Sequence, residues 1–241
     1  MGVIAFNNVS SKDVGIEVEK FPSYDIPEKE YDIIHVPGRN GDIVIDTGTY
    51  KNVSRTYEVS IATRDISFHR KMARVAQWLY SASGYARLED SYEPDYYRMA
   101  IYNKKVTIEN LFNEAGKAKL EFNCKPQRFL KTGDVPVTYN TSGQTIYNET
   151  AFDALPIIDV VTNNAQGELI IGNVIVTIAA NAGLNLTINS ELQDAYSGSA
   201  NKNSYITLNS GIFPNIKPGT NLVAFTGGIQ SITITPKWWT I

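Results

Sequence analysis

Between Val53 and Ile61 the chain alternates strictly: Val53, Arg55, Tyr57, Val59 and Ile61 fall on one side, Ser54, Thr56, Glu58 and Ser60 on the other. A period of two is that of a half-buried strand. Upstream, two short extended runs at 31–36 and 42–46 flank Pro37-Gly38-Arg39-Asn40-Gly41, and Asn-Gly supplies the positive φ angles of a tight reversal, which predicts a β-hairpin. The period then changes. Over 66–83, Phe68, Met72, Val75 and Leu79 form an apolar stripe at helical spacing, with Arg70, Lys71 and Arg74 off it. Asp65 or Ser67 is placed to cap this helix and Gly84 to stop it. Further strands are predicted near 85–88, 98–102, 106–109 and 118–124.

Beyond about residue 131 the helical period does not return. Short apolar runs at 157–161, 168–171, 174–179, 184–188, 205–208, 222–225 and 229–235 are each bounded by Asn, Gly or Pro. Such punctuation reads as a β-sandwich or jelly roll. The predicted fold is therefore mainly β with one helix. It comprises an α+β domain over 1–130, a sheet or barrel with its helix at about 66–83, and an all-β sandwich over 131–241.

Charge sharpens that division. Residues 1–130 carry 18 Lys/Arg and 18 Asp/Glu, whereas residues 131–241 carry 4 Lys, 7 Asp/Glu, and neither Arg nor His. The first part can make many salt-linked contacts; the second is rich in Asn, Thr, Ser and Gly. A net charge of −3 argues against a nucleic-acid binder, which needs a basic face to displace phosphate counterions. The apolar runs are too short to span a bilayer, and the start lacks the basic and apolar regions of a secretory signal, so the chain is expected to stay in the cell that makes it, with no membrane insertion. Cys124, the one cysteine, reads as a small buried side chain of a protein built for a reducing compartment.

Candidate chemistry is sparse. Glu89, Asp90, Glu93 and Asp95 cluster, but without the spacing of a calcium loop, and read as a solvated or salt-linked loop. Asp42 and Asp46 read as charge-paired, with Arg39 or Arg55 as partners. His35 and His69 sit on different elements without ligand spacing. No phosphate loop, dinucleotide fingerprint or nucleophile elbow occurs, and no metal, cofactor or catalytic residue is expected. A soluble two-domain chain without such chemistry reads as a binding or assembly part.

Four ordered stretches carry a family resemblance. Val36-Pro37-Gly38-Arg39-Asn40-Gly41-Asp42-Ile43 resembles the N-terminal signature of siphophage distal tail (Dit) proteins. The segment 88–100, with Glu93-Pro94-Asp95-Tyr96-Tyr97, is similar to the one following their helix, and Leu120-Glu121-Phe122-Asn123-Cys124-Lys125-Pro126 to the strand closing their first domain. The end resembles their C-terminal closure, through Leu186-Thr187-Ile188-Asn189-Ser190, the stretch 213–221 and Pro236-Lys237-Trp238-Trp239.

The resemblance implies a first domain that assembles into a homohexameric ring and a second of galectin-like type. The ring would be the hub between the major tail tube protein and the tail-associated tip protein, with baseplate or receptor-binding proteins attached and DNA passing its lumen unheld. The expected location is the distal end of the phage tail in the virion, assembled in the host cytoplasm. Ring closure demands heterologous contacts, and Val36, Pro37, Gly38, Arg39, Asn40, Gly41, Asp42 and Ile43 are the expected interface. Lectin sites of the galectin type use His and Arg, which the second part lacks. Trp238 and Trp239 are its candidates for stacking on a sugar, and on a strand one should point inward and one outward. The rival readings are an adhesin recognising cell-wall sugars and a wall hydrolase, the latter needing a carboxylate pair at a cleft.

Overall fold

The computed structural model describes residues 2–62, 68–111 and 115–241. The chain divides into two units, 1–128 with Ile241, and 129–240. The first contains strands β1 (Ile4–Phe6), β2 (Val9–Ser10), β3 (Ile16–Val18), β4 (Lys29–Ile34), β5 (Ile43–Tyr50) and β6 (Val53–Ala62), helix α1 (Phe68–Leu79), then β7 (Ala86–Asp90), β8 (Tyr96–Ile101), β9 (Ile108–Leu111) and β10 (Ala115–Leu130). Hydrogen-bonded order in its main sheet is β2-β1-β7-β8-β10-β6-β3, with β9 on β10. Gly2 and Val18 exchange backbone hydrogen bonds of 3.1 and 3.2 Å, so the chain entering β1 lies against β3 and the sheet curls onto itself.

The alternation in β6 explains its placement. Tyr57, Val59 and Ile61 are 1% exposed or less, and the intervening residues lie outward. Facing them are Leu120, Phe122 and Cys124 of β10, with Ile4, Phe6, Ile16, Val18 and Leu88 completing the core. Phe122 gathers the rings of Phe6, Tyr57 and Tyr102, with centroids 5.1, 6.0 and 5.2 Å away. Helix α1 covers this core with Val75, Trp78 and Leu79. Phe68 and Met72, at the start of the expected stripe, are only half-buried. Trp78 was not on that stripe, yet its indole N–H donates to the carbonyls of Phe6 (3.3 Å) and Val9 (3.2 Å). The helix stops at Leu79, short of the expected 83: the Tyr80 amide still bonds the Ala76 carbonyl at 3.0 Å, but the Ser81 amide bonds the Trp78 carbonyl at 3.2 Å, a tighter closing turn. The proposed caps Asp65 and Ser67 lie outside the described residues.

The second unit holds β11 (Val137–Tyr139), β12 (Gln144–Asn148), β13 (Ile157–Ile171), β14 (Val174–Ile178), β15 (Asn185–Asn189), β16 (Asp194–Ser197), β17 (Ala200–Asn201), β18 (Ile206–Leu208), β19 (Gly219–Thr235) and β20 (Trp239–Thr240). Two of the expected strand pairs are single long strands: 157–161 and 168–171 both belong to β13, and 222–225 and 229–235 to β19. The register between β13 and β19 breaks around Thr162 and Gly167. Below the break they pair with β15 and β11; above it, with β14 and β12. The two strands thus pass from one layer of a sandwich to the other. The bend needs Gly227, at φ 65°, and Gly228, where a Cβ would collide with the Ala165 carbonyl. Both layers point into one core, from Ile158, Val160, Leu186, Ile188, Ile232 and Ile234 on one side to Leu169, Ile171, Val176 and Val223 on the other. Among the described residues, no helix is long and apolar enough to cross a membrane.

Candidate functional site

Strands β4 and β5 pair only with each other and form a two-stranded sheet apart from the curled one. Opposite residues share a face, so Ile33 with Val44 and Tyr31 with Asp46 make one surface, while Ile34 with Ile43 and Asp32 with Ile45 make the other. Both surfaces carry open apolar side chains: Ile33 is 65% exposed and Val44 60% on one, Ile34 and Ile45 47% each on the other. Phe21, Tyr24 and Ile26, which lead into the hairpin, are also exposed. An isolated hairpin is at best marginally stable in water, and contiguous exposed apolar surface marks an interaction site. Residues 21–50 therefore form an arm that buries little of its apolar surface within its own chain.

Polar contacts hold the arm's shape. Lys29 pairs with Asp46, Lys51 with Glu28 at 3.0 Å, and His35 Nδ1 lies 3.0 Å from Asp42 Oδ1. The hydrogen bond from Lys29, helped by the Gly48 amide, lowers the Asp46 carboxyl below its ordinary range, and Asp46 in turn raises Lys29. Thr47 donates to the Glu30 carbonyl at 2.8 Å, where the register of the two strands shifts. At the tip, Gly38 and Gly41 adopt φ of 80° and 78°, and the Arg39 amide donates to the Val36 carbonyl at 3.2 Å. Pro37, Gly38, Arg39, Asn40, Gly41 and Asp42 are exposed, with Val36 and Ile43 half-buried at their edges. Asp46 is charge-paired with Lys29 and Asp42 shares a hydrogen bond with His35; neither pairs with Arg39 or Arg55, since Arg55 points inward from β6.

The root of the arm rests on a buried ion network. Arg55 Nη1 donates to the Ser23 carbonyl at 2.8 Å, and its Nη2 reaches Asp90 Oδ2 at 3.1 Å. Tyr57 donates its hydroxyl to the same oxygen at 2.7 Å. The other Asp90 oxygen accepts the amides of Tyr92 and Glu93, both at 2.9 Å. Glu93 pairs with Arg128 at 3.1 Å and approaches Arg55 and Arg98 at 3.6 and 3.8 Å. Arg128 in turn lies over the rings of Tyr24 and Tyr96, and Phe21 packs on Tyr92 at 4.2 Å. Burial, reinforced by the Asp90 charge, pushes the Tyr57 hydroxyl well above its ordinary range. For Arg55 burial acts downward, but Tyr57 and Asp90 outweigh it and keep the guanidinium charged. Asp90 and Glu93 are thus salt-linked inside the unit. Sequence reading did not reveal that they anchor the arm, because their partners come from β6, β8 and β10.

In the second unit Trp238 is 7% exposed and belongs to the core. Trp239 stacks on Phe152 at 4.3 Å and donates its indole N–H to the Asp153 carbonyl at 2.9 Å. The two tryptophans form no common platform. Among the described residues no group of three His, Cys, Asp or Glu is arranged to hold a metal ion.

Two solved structures share this fold. The Dit protein of phage SPP1, described as a paradigm of the hub adsorption apparatus in phages infecting Gram-positive bacteria, superposes with a TM-score of 0.77 over 100% of both chains at 11% identity. A chain of the phage p2 baseplate, in its activated conformation with Sr, gives a TM-score of 0.51 at 10% identity, covering 96% of this chain and 97% of that one. No family model matches the sequence, and no curated protein matches it.

Proposed function

We propose that this protein is a structural component of a phage tail tip: a hub whose first unit assembles as a hexameric ring between the distal end of the tail tube and the tip or baseplate proteins. The observation that carries the reading is the full-length correspondence of fold to the SPP1 Dit protein, through both units and not one alone. The arm supports it independently. Its two open apolar faces need covering, and a second copy of the chain is the partner always present at the site of synthesis. Arm-on-neighbour contact is heterologous, as a closed ring requires. The second unit, with few charges, offers a surface for receptor-binding or other baseplate proteins. The net charge of −3 suits a lumen through which DNA passes without being held.

The reading requires no catalysis. The carboxylates of Asp90 and Glu93 are both paired with arginines that hold the arm's root. The test is the mass of the purified chain in solution across a concentration series, with negative-stain images, alone and with the tip protein of the same phage. Sixfold rings in either condition support the hub. A monomer at every concentration in both conditions would overturn it.

A further inference from the structure

We propose that Asn40, at the tip of the arm, is a self-modification site: its side-chain amide is lost spontaneously, through attack by the backbone of Gly41, and the residue becomes aspartate or isoaspartate. Asn40-Gly41 is the single Asn-Gly pair in the sequence. Both residues are exposed, and apart from the adjoining residues no atom lies within 4 Å of where a Gly41 Cβ would be. Among the described residues, neither the Gly41 amide nor the Asn40 side chain has a hydrogen-bond partner. The nucleophile is therefore unshielded and unengaged, and glycine gives the backbone the freedom to bring it onto the Asn40 Cγ.

The step balances without a redox partner. The Gly41 nitrogen, deprotonated by water or hydroxide, forms a bond to Asn40 Cγ; the Cγ–Nδ2 bond breaks and leaves as ammonia with the proton. Water then opens the five-membered imide at either carbonyl. One opening restores the ordinary backbone with an aspartate side chain. The other routes the main chain through the former side chain and lengthens it by a methylene. The asparagines that precede serine are held differently. Asn189 is 8% exposed and accepts the Leu192 amide at 3.1 Å. Asn203 is engaged at both side-chain atoms, by the Ala195 amide and by Asp194, each at 2.7 Å. Asn209 donates to Thr177 at 3.1 Å.

The product places a new negative charge between Arg39 and Asp42, and the isoaspartyl form also alters a turn set by two positive-φ glycines. This consequence, unlike the chemistry, rests on the arm's role in assembly proposed above: a converted tip would seat poorly on a neighbouring copy. The full chain is incubated at mildly alkaline pH, then digested for peptide mass mapping and labelled with an isoaspartyl methyltransferase. Conversion is expected at Asn40 several-fold faster than at any other asparagine, faster as pH rises, and absent in Asn40→Gln. Asn40 left intact in the native chain, over a period in which the urea-unfolded chain converts there, overturns the proposal. Ring formation by fresh and aged protein is compared in parallel. Conversion without loss of rings leaves the site standing and removes the tip from the contact.

Discussion

Asp90 receives four donors: the Arg55 guanidinium, the Tyr57 hydroxyl and the amides of Tyr92 and Glu93. With Asp90 and Arg55 both 5% exposed at the side chain, removing the carboxylate leaves the buried guanidinium with Glu93 only at 3.6 Å and the Tyr57 hydroxyl without its acceptor, which costs about 3–5 kcal/mol. Asp90→Ala should lower the unfolding free energy of the first unit by that amount in urea titrations followed by Trp78 fluorescence. Lys20→Ala, which breaks the exposed pair with Glu58, should cost at most about a third as much. Cys124 offers a second test. Burial pushes its thiol from 9.0 up to about 11. The folded chain holds that proton more tightly than the unfolded one, so this contribution to stability is complete below pH 9 and is lost as pH rises toward 11. Cys124 should therefore resist a chromogenic disulfide reagent in the native protein, even at pH 9, and react fully in urea. The inward position of Arg55 and the burial of Cys124 could be read from period and residue type. The identity of Arg55's partner could not, because Asp90 is 35 residues away and reaches it across the curled sheet.

The arm tests the argument at the scale of an element. Aspartate at Ile33 and Val44, the opposed and most open pair on one face, adds charge where the monomer buries nothing. The double variant should unfold within about 0.5 kcal/mol of the parent, as surface changes do, yet fail to form rings by light scattering. If it assembles as the parent does, that face is not the contact. Legibility varies from element to element for physical reasons. The hairpin could be located from Asn40-Gly41 and its flanking strands, because turn chemistry is local. Its exposure could not be anticipated: isoleucine and valine in alternation predict burial, and only the absence of a covering layer makes them surface. Strands β1 to β3, two or three residues each, carry too little pattern to register. The continuity of β13 and β19 was hidden by the residues that permit it, since Gly167, Gly227 and Gly228 read as turns between strands when they are bends within them.

For the whole molecule, two separate cores predict two unfolding transitions. The tryptophans divide between them, Trp78 in the first unit and Trp238 and Trp239 in the second, so variants that keep one set report one unit. Charge divides the same way, with 36 of the chain's 47 Lys, Arg, Asp and Glu in residues 1–130. Asp46 and Glu58, both in the first unit, have carboxyls held below their ordinary range by the hydrogen bonds of Lys29 and Lys20. A lowered carboxylate contributes stability above its unfolded value, and that contribution disappears as pH falls through the folded one. Acidification from neutrality through the carboxylate range should therefore move the Trp78 transition down while the Trp238/Trp239 transition moves less. Added salt should act in the same order, because exposed pairs such as Lys20–Glu58 and Lys117–Glu19 are screened. The comparison uses Trp238→Phe/Trp239→Phe for the first unit and Trp78→Phe for the second, each in urea at several pH values. Equal displacement of both transitions would mean that the two units unfold as one, and that the uneven distribution of charge has no bearing on how the chain comes apart.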